Sequence, residues 1–211
     1  MKKIKLIINT KSKNYPIFIG SNIINSIASI LKLNNFSFEK CLIIWDSKVP
    51  KRKLNILKKK IKSEKKIIYH FNSSEKNKNL KNINFILNKL FQFNFNRNDC
   101  IISIGGGITG DVSGFAASIY KRGIKWIFFP TTLLAQGDSC IGSKTSINFG
   151  KYKNQVGGFY PPNIVYVEPK FLNTLPAKEL QSGLGEMIHY FVVSGEEDFE
   201  RFKKLFNFFF G

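Results

Sequence analysis

Cys100–Tyr120 reads CIISIGGGITGDVSGFAASIY, an apolar pentapeptide that runs into three glycines and then into a segment of small residues. The apolar run suits a strand buried on both faces, and GDVSGFAASIY suits a helix with a small-residue face. Between them Gly105, Gly107 and Gly110 satisfy G-x-G-x-x-G at a strand-to-helix junction. Glycines there permit a tight turn and let backbone N–H groups approach a pyrophosphate at the positive end of a helix. A tight turn serving only close packing gives the same letters, and the strand and helix on either side favour the dinucleotide reading. The acidic residue that commonly holds the ribose, about 20 residues on at the end of the next strand, is replaced here by KWIFFPTT, ending in Thr131 and Thr132. A ribose would need another carboxylate. Asp46, closing CLIIWD, is the best placed, and Glu75, after KIIYHF, is second.

Outward from this junction, strand and helix patterns alternate. KIKLIIN and YPIFIG flank a polar turn and predict a hairpin. SNIINSIASILKL follows as a helix, with Ser21 a candidate N-cap and Ile23, Ile24, Ile27, Ile30 and Leu31 on one face. CLIIW, KIIYHF, KWIFF and NIVYV are further strands, and LKNINFILNKLFQF is a helix. The order predicts an α/β fold, a mostly parallel sheet with helices on both faces in the Rossmann-like manner. No strand pattern follows NIVYV, so residues 1–170 are expected to form a nucleotide-binding α/β domain and residues 171–211 the beginning of a helical one. In the last helix Phe199, Phe202, Leu205, Phe206 and Phe209 recur at core-like spacing, which predicts an apolar face needing cover.

Composition narrows the function. With 43% hydrophobic and 22% charged residues the chain is of the globular class. It has no apolar run long enough for a membrane span and no signal-peptide pattern at MKKIKLIINTKSKNY, so a cytoplasmic protein is expected. Three widely spaced cysteines, Cys41, Cys100 and Cys140, fit reduced thiols. The net charge of +19 comes mainly from Lys rather than the Arg favoured for phosphate forks. In its densest run, Ser47–Lys66, Val49, Leu54, Leu57 and Ile61 mark one buried stripe behind a solvated Lys face. No nucleic-acid partner is expected, and the surplus charge favours a small anionic substrate.

The stretch 130–162, PTTLLAQGDSCIGSKTSINFGKYKNQVGGFYPP, reads as a loop-rich, glycine-punctuated segment following a strand end, which is where open parallel sheets bind ligands. It carries Thr131, Thr132, Asp138, Lys144, Lys153 and Asn154. Lysines there can hold phosphate as point charges, and Asp138 can accept or orient a hydroxyl proton.

These segments resemble the 3-dehydroquinate synthases, within the sugar phosphate cyclases. The likeness lies in GGGITGDVSGFAASIYKRG, PTTLLAQGDSCIGSKTSIN, KYKNQVGGFYPP, FLNTLP and SGLGEMIHY, which run in the family's order from Gly105 to Tyr190; SSEKNK, Ser73–Lys78, is a further match. The resemblance implies NAD held by Asp46, Glu75, Lys78, the turn Gly106, Gly107, Ile108, Thr109, Gly110 and Asp111, then Thr131, Thr132 and the segment Phe171, Leu172, Asn173 and Thr174. It implies Lys144 and Lys153 between cofactor and substrate, and Asp138 and Asn154 beside the substrate hydroxyls. Arg122 matches an arginine that reaches the substrate phosphate of a neighbouring subunit, implying a homodimer. Glu186 matches one of three ligands of a divalent metal, zinc or cobalt. The implied reaction cyclises 3-deoxy-D-arabino-heptulosonate 7-phosphate to 3-dehydroquinate with release of phosphate, a step towards the aromatic amino acids.

His189 departs from the family's pattern, which has a lysine there close to the substrate. It lies at i+3 from Glu186, so the two share a helix face and could meet one metal; replacement of the lysine's hydrogen bond, or packing, is the plainer reading. The family's other two metal ligands are histidines further along the helical domain, whereas this sequence contains only His70 and His189. One carboxylate does not make a catalytic zinc site, which takes three protein ligands. The chain by itself is therefore expected to be inactive, either as a fragment of a longer gene product or as the product of a truncated gene. Another sugar phosphate cyclase, a metal-dependent alcohol dehydrogenase and a non-catalytic NAD-binding remnant are the alternatives.

Overall fold

A computed structural model of the chain describes residues 3–210, with the side chains of 205 and 207–210 outside the description. In chain order the strands are β1 (Ile4–Ile8), β2 (Tyr15–Ile19), β3 (Lys40–Asp46), β4 (Lys65–Phe71), β5 (Cys100–Gly105), β6 (Lys125–Pro130), β7 (Lys144–Phe149), β8 (Tyr152–Phe159) and β9 (Ile164–Val167). The helices are α1 (Ile27–Leu33), α2 (Lys51–Lys60), α3 (Leu80–Gln92), α4 (Gly107–Ile119), α5 (Ala177–Ser194) and α6 (Glu196–Phe210). Seven strands form one sheet in the order β1-β2-β9-β6-β5-β3-β4. Only the β1–β2 hairpin is antiparallel; the other pairings are parallel.

Period-two alternation sorts the central strands onto two cores. Cys41, Ile43, Trp45, Cys100, Ile102 and Ile104 face α1 and α2, where Ile27, Ile30, Leu54 and Leu57 cover them. Leu42, Ile44 and Ile101 face the other way, against Ile83, Ile86 and Leu90 of α3 and Val112 and Ala116 of α4. Both faces of β3 and β5 are thus sealed from water, as their unbroken apolar runs predict. The Lys-rich helix behaves as expected too: Leu54 and Leu57 are buried and its lysines point outward. Small residues let α4 lie close on β6. A Cβ at Gly110 would come 2.7 Å from Phe128 Cζ, and one at Gly114 would come 3.0 Å from Trp126 Cζ2.

Three expectations are corrected. Ser21 does not cap a helix: a short 3₁₀ turn spans Ile23–Ser26 after Asn22 at φ 60°, and α1 begins only at Ile27. The helix after the glycines starts at Gly107 rather than Gly110, so the glycine turn is itself the helix's first turn. The stretch 130–162 is not mainly loop. It contains a turn of π-helix at Ala135–Ser139 and the two-stranded antiparallel sheet β7–β8, docked on α4. The final residues are helical as expected, with Phe202 buried against Phe191 at a ring separation of 4.9 Å. Of the other positions on that face, Phe206 is exposed, and the side chains of Leu205 and Phe209 lie outside the described residues. Among the described residues no helix is long and apolar enough to cross a membrane.

Candidate functional site

Strand order decides where a ligand cleft can open. From β3 the chain steps outward to β4 and then returns to the other side of β3 as β5, continuing to β6. The crevice beyond the carboxyl ends of β3 and β5 is thus a topological switch point, where loops leave in opposite directions. Gly105 ends β5 and Asp46 ends β3, and a Cβ on Gly105 would lie 2.9 Å from that of Asp46.

At this crevice α4 starts with its donors bare. Gly106 is the N-cap and no side chain caps it; the first helix-closing bond runs from Gly110 N to Gly106 O at 3.0 Å. The N–H groups of Gly107, Ile108 and Thr109 have no acceptor within the helix. No acidic residue occupies the first turn, so the positive end of the helix is uncompensated. A Cβ at Gly106 would stand 3.0 Å from the Thr132 methyl, and one at Gly107 3.3 Å from Ser139 Oγ. These two glycines keep a cradle open that side chains would narrow. The other glycines of the motif do different work, since Gly105 packs under Thr109 and Gly110 under Phe128. Thr131 N donates to Gly105 O at 2.9 Å, and Thr132 Oγ1 accepts from Ala135 N at 3.2 Å, which fixes the loop beyond β6 against the turn. The cradle fits a pyrophosphate in donor chemistry.

Asp46 is buried beside it, with Oδ1 accepting from Lys48 N at 3.0 Å and Oδ2 from the Ser73 hydroxyl at 2.7 Å. Opposite, four of the sequence-selected residues form one network. Lys78, only 4% exposed, places Nζ 2.6 Å from Asp111 Oδ2 and 2.5 Å from Asn154 Oδ1. Asn148 ties in Glu75: its amide donates to Glu75 Oε2 at 2.9 Å, and its Oδ1 accepts from Asn154 N at 2.9 Å. Burial raises the Asp111 carboxyl above its ordinary range, and the Lys78 ammonium beside it opposes that rise.

The remaining candidates are more scattered. Lys144 and Lys153 are exposed and far apart on the hairpin. Lys144 faces Phe159 at the open end, while Lys153 follows the turn beyond a bulge, roughly 15 Å away along β7 at the usual rise. Lys144 does share a small hollow with Ser139. Phe171 is buried in the core beneath the Lys53 ammonium, so its ring faces no cleft, while Asn173 and Thr174 are exposed and Leu172 half-buried. Arg122 is exposed, at φ 64°.

Helix α5 approaches the same loop with one face. Gly183 touches Leu133, Met187 lies over Gly137, and the Tyr190 hydroxyl donates to Asp138 Oδ1 at 2.7 Å. Asp138 pushes the Tyr190 phenol up to about 12 by holding its proton, with Glu186 adding to the effect. Glu186 and His189 are both exposed, and among the described residues no three His, Cys, Asp or Glu side chains assemble a metal site. The donor set present does not fit a catalytic metal. Cys140 is buried, and burial pushes its thiol up to about 12, which makes it inert.

Sequence reasoning missed Tyr190, Asn148 and Ser73. Tyr190 had a legible signal, since it lies at i+4 from Glu186 and therefore on the same helix face. Nothing in the letters joins Asn148 or Ser73 to their carboxylates, because those bonds depend on how two loops meet.

Residues 68–182 match the 3-dehydroquinate synthase N-terminal family. Over 202 residues the chain is 49% identical to the 3-dehydroquinate synthase of Pelagibacter ubique, covering 94% of this chain and 54% of that protein. Among solved structures it is similar to 2-deoxy-scyllo-inosose synthase, at 28% identity and TM-score 0.81 over 88% of this chain and 52% of that one. A second crystal structure of that enzyme, TM-score 0.79 at 28% identity over 88% and 50% of the two chains, contains carbaglucose-6-phosphate, NAD+ and Co2+. 2-epi-5-epi-valiolone synthase from Streptomyces hygroscopicus, with NAD+ and Zn2+ bound, matches at 25% identity and TM-score 0.73 over 87% and 51%. The chain spans about half the length of the curated relatives it matches.

Proposed function

The chain belongs to the 3-dehydroquinate synthase N-terminal family, and on that premise we propose that it is the NAD-binding part of a 3-dehydroquinate synthase. In this reading residues 1–170 hold the cofactor and residues 171–211 begin the helical part that would meet the substrate. The observation that carries it is the uncapped start of α4 over Gly106 and Gly107, set at the switch point beside Asp46. The bare N–H groups take the pyrophosphate, and the free lone pairs of Asp46 accept from a ribose hydroxyl. Glu75, Lys78, Asp111, Thr131, Thr132 and residues 172–174 line the rest of the cofactor's path.

The substrate is 3-deoxy-D-arabino-heptulosonate 7-phosphate. NAD held there would supply a transient hydride acceptor. Lys144 and Lys153 bring positive charge to the anionic substrate, and Asp138, held by Tyr190, orients a substrate hydroxyl together with Asn154. Arg122 reaches the substrate phosphate of a second copy, making the enzyme a homodimer. Glu186 is assigned one ligand of a zinc or cobalt ion, with His189 at the neighbouring position; because the described residues assemble no metal site, no step is derived through the ion. The buried free thiols suit a reducing cytoplasm.

Identity of 49% to a 3-dehydroquinate synthase, against 28% to the inosose synthase, favours this substrate over those of other cyclases. Phosphate release tests the assignment. With NAD, zinc and 3-deoxy-D-arabino-heptulosonate 7-phosphate, the 211-residue chain is expected to release none. A chimera carrying the remaining portion of the Pelagibacter relative is expected to release phosphate with no net NADH. A folded, NAD-binding chimera that releases none contradicts the proposal and leaves the binding-remnant reading; net NADH in its place indicates a dehydrogenase.

A further inference from the structure

At the amino ends of the strands, opposite the glycine turn, lies a cleft of about 590 Å³ that the proposed function does not use. That volume is within the range of small-molecule sites. Lys13 reaches it from the β1–β2 turn, Arg97 from the loop before β5, and Lys125 from the first position of β6; Tyr160, Pro161 and Asn163 complete the wall. No carboxylate lines it, and among the described residues none lies within 4.0 Å of these three cations. Asp99, the buried carboxylate nearest in sequence, is already committed, accepting from Lys40 N at 2.9 Å and Asn96 N at 2.8 Å.

The cations have donors to spare. Lys13 Nζ makes a long contact of 3.3 Å to Pro161 O, and Lys125 Nζ gives one hydrogen to Ser37 O at 2.9 Å, leaving each ammonium further hydrogens. Burial lowers Lys13 to about 8. Arg97 lies close enough to Tyr160 to act on its phenol electrostatically. Gly123, at φ 122°, borders the cleft.

We propose that this cleft is a second anion site, binding a phosphate monoester whose apolar body rests on Tyr160 and Pro161 and whose dianion meets Arg97, Lys13 and Lys125. A guanidinium fork with two ammoniums matches the charge and the oxygens of that group. The inference is independent of the cofactor reading, since it uses the other end of the sheet.

Titration calorimetry with phenyl phosphate at about 150 mM salt, where diffuse attraction to the basic surface is screened, tests it. Saturable one-to-one binding is expected, with Arg97→Gln and, separately, Lys125→Gln each weakening it at least about tenfold. Arg97 is exposed, so its replacement leaves the fold intact, which circular dichroism checks. No saturable heat, equal binding by the Arg97 variant, or binding lost only in Lys144→Ala overturns the site. So does a dimer in solution in which Arg97 is shielded from phenylglyoxal, because a second copy would then occupy the cleft.

Discussion

A methyl group on Gly105 would sit 2.5 Å from Thr109 Oγ1, 2.6 Å from Thr109 Cβ and 2.9 Å from Asp46 Cβ. Two of those atoms are anchored next to backbone and cannot swing away. Gly105→Ala is therefore expected to cost about 1–3 kcal/mol, as overpacking does, and to lower Tm by roughly 3–10 °C for a chain of this size; thermal unfolding followed by circular dichroism measures it. Lys78 provides a complementary test. Lys78→Met leaves the Asp111 carboxylate without its cation, a loss of about 2–4 kcal/mol at neutral pH. Asp111 already has a raised pKa, and the variant raises it further. Below that pKa the carboxyl is neutral and needs no cation, so the deficit shrinks as pH falls through it and is fully present above. Denaturant titrations of both proteins from acid to neutral pH check the trend, and a deficit that grows towards acid contradicts it. At this scale the sequence was readable where chemistry is local, as in the glycines and Asp46, and silent where two loops meet, as in the Asn148 contacts.

The β7–β8 hairpin is the element that the letters concealed. Its outer face is solvated, and its strands carry Asn, Lys, Ser and Gly, which are poor strand formers, so the pattern of a half-buried strand is diluted. What fixes it is contact: Thr145 and Ile147 are buried against α4, and Gly114 and Gly157 allow the approach. A Cβ at Gly157 would collide with Thr145 O and lie 2.6 Å from Ser146 Cα, both backbone atoms. Gly157→Ala is expected to detach the hairpin while leaving the seven-stranded sheet folded. Amide exchange should then accelerate at least about tenfold in β7 and β8 with β3 and β5 unchanged, since elements open as separate units; uniform protection across all four strands would contradict this. The central strands, by comparison, were legible because burial on both faces leaves an uninterrupted apolar run.

Over the whole molecule, strand order gathers Asp46, the glycine turn and the Thr131–Thr132 loop at one edge, although they are distant in sequence. The alternation of strands and helices foretold that edge, while the order of strands within the sheet, which creates the switch point, emerges only from the fold. The basic cleft at the other end was equally hidden, since Lys13, Arg97 and Lys125 belong to separate turns. Cofactor binding depends on the cradle at the start of α4. Titration of the folded 211-residue chain with NAD up to about 1 mM, a range reaching weak binding of roughly 4 kcal/mol, tests it most directly. One-to-one binding that Gly107→Val abolishes without lowering Tm appreciably is the predicted result; no heat from NAD, or equal heat from that variant, would contradict it.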